Sequence, residues 1–287
     1  MQRLLIVGLD SVVGRSLANR ARKSWKTTGL WFRHPVSMTD VDSARISESN
    51  LKNQLTDAAV TVFCGDAALS SWDSGFGAFP AEESWLGTCL RAIGDDQRMV
   101  FVSSDAVFSG PQVFHSDSDD ATGCDPSAVL LRDLEHDVLQ KPNALVVRTN
   151  VVAAGVGVPG WLDHVTTSLR NGDSPEPAAD VYSTPIGDHR FAEILETCLQ
   201  QKLTGTLNIG GAERATPFQL IRALSNVCGF DATLLKHSIS RPKPAERSLR
   251  CQRLRTELNI FPPMLTDLAE SLGDSIRSEP RRRPVAA

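Results

Sequence analysis

The sequence has little of what marks secreted, membrane-spanning or metal-binding proteins. Its six cysteines are scattered without a C-x-x-C pair, a distribution typical of reduced thiols in a cytoplasmic protein. No apolar run approaches the roughly 20 residues of a membrane span, and the first residues lack the layout of a signal peptide. The histidines show no H-x-x-x-H spacing. We therefore expect a cytoplasmic protein without a metal site.

An excess of charge of one sign is also missing. The formal net charge is −4, which gives no reason to expect binding to nucleic acid or to an anionic membrane surface. With 41% hydrophobic and 22% charged residues, the composition is that of an ordinary globular protein. The 287 residues are enough for one large α/β domain, or for a core domain with a smaller lobe.

The first 17 residues contain the most informative pattern. The apolar run Arg3–Val7 is followed by Gly8, Ser11 and Gly14, the spacing of the G-x-x-G-x-x-G turn. A helix opening at Val12 directs its free N–H groups towards the turn, where they attract a pyrophosphate. Ser11 stands in the middle glycine position, where its Cβ crowds the approach to the phosphates; if the position requires a positive φ, the cost is roughly 1–2 kcal/mol. The segment is either a nucleotide site or a buried strand–turn–helix that only builds the fold.

The rest of the chain alternates between strand and helix patterns, which predicts a Rossmann-like α/β fold with a doubly wound parallel sheet. Strands are predicted at 3–7, 29–33, 60–64, 99–103 and 144–149, and helices at 12–23, 51–58, 81–93 and 128–139. We expect a dinucleotide-binding domain over 1–150 and a smaller α/β substrate-binding lobe over 151–275. The lobe exchanges some strands and helices with the core. A disordered tail is expected over 276–287.

Several segments resemble the extended short-chain dehydrogenases/reductases of the dTDP-4-dehydrorhamnose reductase type. VFVSSDAVFSG (100–110), LVVRTN (145–150), DVYSTP (180–185) and GTLNIGG (205–211) are similar to that family's motifs and follow its order. The resemblance implies NADP(H) as cofactor and a nucleotide sugar as ligand. It also implies carbohydrate biosynthesis, and pairing with a second copy or with a partner enzyme. From the charge balance and the lack of long apolar runs, we expect neither nucleic acid nor a membrane as a partner.

The resemblance fails at the position of the family's Tyr-x-x-x-Lys pair. In the aligned segment Val129 stands for the tyrosine and Asp133 for the lysine. The sequence has one tyrosine, Tyr182, and Ile186 lies four residues after it, so no such pair exists anywhere in the chain. Valine cannot donate a proton, and general acid–base catalysis typically contributes about 10²–10⁴-fold in rate. Asp133 also reverses the charge of the lysine.

Other positions keep residues that match the family's site. The resemblance places Ser104 where a hydroxyl binds the substrate carbonyl, with Asp105 beside it. Arg33 follows the second strand, where an arginine meets the 2′-phosphate of NADP, although a plain surface arginine is the alternative. The residues implied to bind cofactor are Gly8, Ser11, Val12, Gly14, Arg33, Cys64 and Ser103. Those implied to bind substrate are Arg148, Tyr182 and Arg241; a buried carboxylate partner is the alternative for Arg148, and lobe packing for Tyr182.

Two interpretations of different classes follow. In the first, the protein binds NADP(H) or a nucleotide sugar but has lost the usual proton relay, and it acts as an impaired or regulatory member. In the second, it is an active NADP-dependent oxidoreductase or epimerase on a nucleotide-activated deoxysugar. Asp105, His115 or water then carries the proton. The departures at Ser11, Val129 and Asp133 favour the first interpretation.

Overall fold

The computed structural model describes residues 1–73, 76–77, 79–153, 160–239 and 244–278. Within these ranges, seven strands form one parallel sheet, in the order β10-β6-β5-β4-β1-β2-β3. They are Arg3–Val7 (β1), Lys26–Trp31 (β2), Asp42–Arg45 (β3), Val60–Phe63 (β4), Arg98–Val102 (β5), Ala144–Thr149 (β6) and Gly205–Ile209 (β10). Short parallel pairs join Val151–Val152 (β7) to Ile186–Gly187 (β9), and Val181–Tyr182 (β8) to Ala245–Glu246 (β11).

Helices cover both faces of the sheet and build the lobe beside it. They are Val12–Ala21 (α1), Glu48–Asp57 (α2), Gly87–Ala92 (α3), Pro126–Leu139 (α4), Trp161–Asn171 (α5), Asp188–Gln200 (α6), Pro217–Cys228 (α7), Gln252–Leu258 (α8) and Leu265–Ser278 (α9). A π-helical turn, Glu82–Leu86, leads into α3, and the 3₁₀ turns are Asp66–Ala68, Asp105–Val107 and Ala232–Leu234. No helix in the described part of the chain is long and apolar enough to cross a bilayer.

The central strands are buried on both faces, as a parallel sheet requires. Every residue of Val60–Phe63 and of Ala144–Thr149 is buried. The segment after residue 150 returns to this core, because β10 pairs with β6 and α6 packs on α1. The lobe has its own apolar cluster, in which α7 packs on α9. The predicted doubly wound sheet is confirmed.

Local sequence signals set the helix boundaries. Asp125 caps α4 by accepting from the Ala128 amide, and Pro126 occupies its first turn. Thr216 and Gln219 form a capping box at the start of α7. Residues 276–278, expected to belong to the disordered tail, instead complete α9, and Ile276 is buried at 6% exposure. Residues 279–287 lie outside the described part of the chain.

Candidate functional site

The turn after β1 brings three backbone segments into close contact. Gly8 has a φ of +96°, and a Cβ there would lie 2.0 Å from the Cys64 carbonyl oxygen. A Cβ on Gly14 would lie 2.2 Å from the Gly8 carbonyl oxygen. The two glycines therefore allow α1 to start directly against the ends of β1 and β4, the arrangement in which a helix N-terminus can approach a pyrophosphate.

Ser11 is not strained at this turn. Its φ is −74°, so the cost that a positive φ would carry at this position does not arise. The Ser11 hydroxyl accepts a hydrogen bond from the Gly14 amide at 2.9 Å and donates one to the Gly8 carbonyl at 2.8 Å. Ser11 is thus the N-cap of α1, which begins at the half-buried Val12, and it occupies one of the first-turn N–H groups that a phosphate would otherwise meet.

Acidic side chains surround Arg33 at the end of β2. The Asp10 carboxylate accepts from three consecutive amides, those of Phe32, Arg33 and His34, at 2.8–3.1 Å. The Arg33 guanidinium pairs with Asp66 at 2.6 Å. Burial raises the pKa of Asp66, and the charge of Arg33 opposes that rise. Arg33 therefore lies where a 2′-phosphate reader is expected, but its charge is already partly neutralised.

A fully buried acid, Glu82, lies behind this group. Its Oε1 accepts from the Ala67 amide at 2.7 Å. Burial raises the pKa of Glu82 to about 7, and the Ala67 hydrogen bond opposes the rise. An unfolded glutamate titrates near 4.3. The folded protein therefore binds more protons than the unfolded chain between these values, and its stability falls as pH rises through that window.

We expect Glu82→Gln to stabilise the protein above about pH 7 by about 3 kcal/mol and to have little effect near pH 4. Glutamine keeps the acceptor for Ala67 but carries no charge to desolvate. Urea unfolding at both pH values measures the difference. Glu83→Gln, at the adjacent exposed residue, is the matched control and should leave the pH profile as it is. A stability gain that is the same at both pH values would contradict the assignment.

A cleft of about 390 Å³ lies between the sheet and the lobe. Its walls include Asp73 and Phe76 from the segment after β4, Ala106 from the turn after β5, and Ser127 from α4. Val181 and Arg247 close it from the lobe side. Loops at the carboxyl ends of parallel strands form this crevice, the position at which doubly wound sheets bind ligands.

Ser104 and Asp105 lie next to the cleft but are fully buried. The Ser104 hydroxyl accepts from the Ala106 amide at 3.2 Å and lies 3.3 Å from the Asp105 carboxylate. Asp105 also accepts a short hydrogen bond from Ser183. Burial raises the pKa of Asp105 to about 6, and the charge of Arg247 opposes the rise. Arg247 and Ser71, which both interact with Asp105, line the cleft.

Helix α4 presents a different residue to the cleft than the sequence comparison suggested. Asp133, expected in the lysine position, is 66% exposed and lies 3.7 Å from Arg132. Ser127 lines the cleft, and Leu131, one turn later on the same side, is fully buried. Val129 follows Ser127 by about 200° around the helix. Ser127 is therefore the residue of α4 that lines the cleft, whereas Val129 and Asp133 are not among its lining residues.

Arg148 is structural and does not line the cleft. It pairs with Glu135 at 2.8 Å, and both side chains are more than nine-tenths buried. Ser103, expected to bind cofactor, donates its hydroxyl to the same carboxylate at 2.6 Å. Arg148 also donates to the Asp119 carbonyl at 2.9 Å. The predicted substrate role of Arg148 is wrong, and the alternative, a buried partner of a carboxylate, is what the structure shows.

The remaining predicted residues are dispersed. Cys64 is buried beneath the nucleotide turn, and burial raises its thiol pKa. Tyr182 stacks against the Arg214 guanidinium, 3.4 Å from its ring centre. His115 is buried and stacked on Phe108 at 3.9 Å; burial lowers its pKa. Arg241 lies outside the described residues. No cluster of metal ligands occurs among the residues that the structure describes.

Sequence reasoning missed Ser127, Asp73 and Arg247. Ser127, in the first turn of α4, and Arg247, which follows β11, both line the cleft. Neither lies in a recognisable sequence motif. Asp73 accepts from the Trp161 amide at 2.7 Å, which joins the segment after β4 to the start of α5. That contact spans 88 residues and leaves no local pattern in the sequence.

Comparisons with known proteins agree with this geometry. No family model matches the sequence. A dTDP-4-dehydrorhamnose reductase of Mycolicibacterium smegmatis is 26% identical in an alignment 291 residues long. The alignment covers 96% of this chain and 85% of that protein. A probable low-salt glycan biosynthesis reductase of Haloferax volcanii is 28% identical over 195 residues, 62% of this chain and 64% of that protein's length. A solved dTDP-4-dehydrorhamnose reductase of Bacillus anthracis, in complex with NADP, superposes with a TM-score of 0.71 at 13% identity, covering 96% of this chain and all of that one.

Proposed function

Because the chain is a dTDP-4-dehydrorhamnose reductase-like protein of the extended short-chain dehydrogenase/reductase family, we propose that it binds NADP(H) and a nucleotide sugar without the usual proton relay. It acts as a catalytically impaired, regulatory member. The observation that carries this proposal is helix α4, whose cleft-facing position is Ser127 and whose next turn buries Leu131. Neither the cleft-lining Ser127 nor the expected positions, Val129 and Asp133, supply a tyrosine or a lysine.

The nucleotide turn fits a dinucleotide. Gly8 and Gly14 let the turn pack tightly against β4 and α1, since a Cβ at either would collide with a backbone carbonyl oxygen, and this close packing supports an approach of the phosphates to the start of α1. The first turn of α1 supplies N–H groups for the pyrophosphate, and Arg33 lies at the adenosine end. NADPH, when bound, supplies a hydride. The chain's own residues bind and orient the dinucleotide, and the cleft at Ser127 and Arg247 receives the second ligand.

Calorimetric titration with NADPH tests the proposal. We expect saturable binding of one cofactor per chain, with no oxidation when dTDP- or UDP-linked 4-keto sugars are added. Absence of binding for both NADPH and NADH would contradict the proposal that the protein binds a dinucleotide cofactor. Turnover at the 1–10³ s⁻¹ typical of enzymes would overturn the loss of catalysis.

One observation favours a second function, an active oxidoreductase or epimerase. Asp105 has its pKa raised to about 6 by burial, so part of it is protonated near neutral pH and could donate through Arg247 and water. In that case Asp105→Asn lowers turnover by 10² or more. The rate would also fall as pH rises through about 6, where the acid loses its proton. A rate independent of pH over that range would exclude Asp105 as the donor.

The pairing of Arg33 with Asp66 gives a specific prediction. Asp66→Asn should strengthen NADPH binding about tenfold. In the wild type, Arg33 must give up its ion pair with Asp66 to bind the 2′-phosphate, and the variant has no such pair to break. NADH, which lacks that phosphate, should bind the variant and the wild type equally. Titration of both cofactors measures the ratio. Asp133→Asn, an exposed carboxylate beside Arg132, is the control. Equal gains for NADH and NADPH would show that Arg33 does not read the phosphate.

A further inference from the structure

A second pocket lies at the carboxyl end of the edge strand β10. We call it the edge pocket; it encloses about 650 Å³ and is bounded by Phe114, Gly211, Leu249, Arg250, Arg255 and Phe261. Among the described residues, it shares no lining side chain with the cleft. The segment from Arg247 to Arg250 separates the two, with Arg247 in the cleft and Leu249 and Arg250 in the edge pocket.

The edge pocket is positively charged. Arg250 and Arg255 line it, and none of the described lining residues is acidic. Among the ion pairs of the described residues, neither arginine has a carboxylate partner, whereas their neighbour Arg253 is held by Glu257 at 2.6 Å. In a chain of net charge −4, two unpaired guanidinium groups facing one pocket favour an anionic occupant, because guanidinium matches phosphate geometry.

Two aromatic rings flank these charges. Phe261 is 62% exposed, and its ring lies 5.4 Å from the Arg255 guanidinium carbon. Phe114 has a φ of +60°, which is uncommon for a phenylalanine. Its amide donates to the Ser248 hydroxyl at 2.9 Å, and the next residue, His115, pairs with Leu249. The backbone therefore holds Phe114 at the rim of the pocket, where its ring is only half-buried.

We propose that the edge pocket is a binding site for a nucleoside diphosphate, separate from the cofactor turn and the cleft. Arg250 and Arg255 bind the phosphates, and the rings of Phe114 and Phe261 stack on the base. The volume lies within the 300–1,000 Å³ range of small-molecule sites. The site does not depend on the proposed reductase-like function, because its residues lie apart from Gly8, Ser127 and Arg33.

Titration with ADP tests the proposal on the full chain already saturated with NADPH, so that the cofactor turn is occupied. We expect ADP to bind at one further site, and Arg250→Glu with Arg255→Glu to weaken it about 100-fold, or tenfold for each guanidinium. Arg222→Glu, an exposed arginine on α7, is the control and should change ADP affinity less than twofold. Failure of wild-type protein to bind ADP, or equal ADP affinity in the double variant, would overturn the proposal.

A second pair of measurements isolates the rings. Phe261→Ala should weaken ADP about tenfold and leave inorganic pyrophosphate unchanged, since pyrophosphate has no ring to stack. Equal loss for both ligands would overturn the stacking role. NADPH affinity should be the same in every variant. Its loss in the arginine double variant would place ADP and NADPH in one site and refute a separate pocket. Absence of NADPH binding with intact ADP binding would count against the proposed function alone.

Discussion

Ser127→Tyr is expected to raise NADPH-dependent reduction of dTDP-4-dehydrorhamnose by about 10²-fold over the wild-type protein. A tyrosine here places a phenol in the cleft, at a position where the wild type has only a serine hydroxyl, a much weaker acid. The gain is set at the lower end of the 10²–10⁴-fold range for general acid catalysis, because buried Leu131 supplies no charge to lower the phenol pKa.

Val129→Tyr is the matched control for this experiment. It introduces the same side chain two residues later, about 200° around α4 and therefore away from the cleft. We expect it to leave turnover at the wild-type level. A rate gain from Val129→Tyr and none from Ser127→Tyr would support Val129 as the tyrosine position, as the sequence predicts. No gain from either would show that the cleft lacks more than a proton donor.

Arg148→Ala is expected to lower the free energy of unfolding by about 3–5 kcal/mol, because it leaves Glu135 buried without its ion pair. Both side chains are more than nine-tenths buried, and Glu135 also accepts from Ser103. Urea unfolding measures the loss. At temperatures where the variant is folded, NADPH affinity should equal that of the wild type.

Two further variants test whether the loss of stability comes from burial of an unpaired charge. Arg190→Ala breaks a surface pair with Glu193, in which the side chains are 39% and 45% exposed, and it should cost less than about 1 kcal/mol. Glu135→Leu combined with Arg148→Met replaces the buried pair by apolar side chains and should recover most of the lost stability. A stable Arg148→Ala protein that fails to bind nucleotide sugar would contradict the structural role.

The elements that sequence predicted well are those with strong apolar patterns. Val60–Phe63 and Ala144–Thr149 are buried throughout, and their runs of apolar residues identified them within one residue. β3, Asp42–Arg45, was missed because it is a polar edge strand with exposed side chains. Helix α9 was missed as well, although its buried Leu268, Leu272 and Ile276 recur at helical spacing.

The site was harder to predict because it depends on backbone angles and on contacts between elements that are distant in the sequence. The spacing of Gly8 and Gly14 predicts the nucleotide turn. The role of Ser11 as N-cap of α1 depends on its backbone angle, which the sequence does not show. The register of α4 depends on which residue faces Ala106 across the cleft. Arg148 was misassigned because its partner Glu135 lies on another element, and burial of the pair is a tertiary property.

The most direct test measures cofactor binding and oxidation in one sample. Calorimetry first establishes that the protein is saturated with NADPH; dTDP-4-dehydrorhamnose is then added, and the loss of reduced nicotinamide absorbance is followed. We expect bound NADPH and a rate about 10²-fold below that of the Ser127→Tyr variant. Bound NADPH oxidised by the wild type at 1 s⁻¹ or faster, within the usual range of enzymes, would contradict it, because the protein would then relay protons without a tyrosine or a lysine in the cleft.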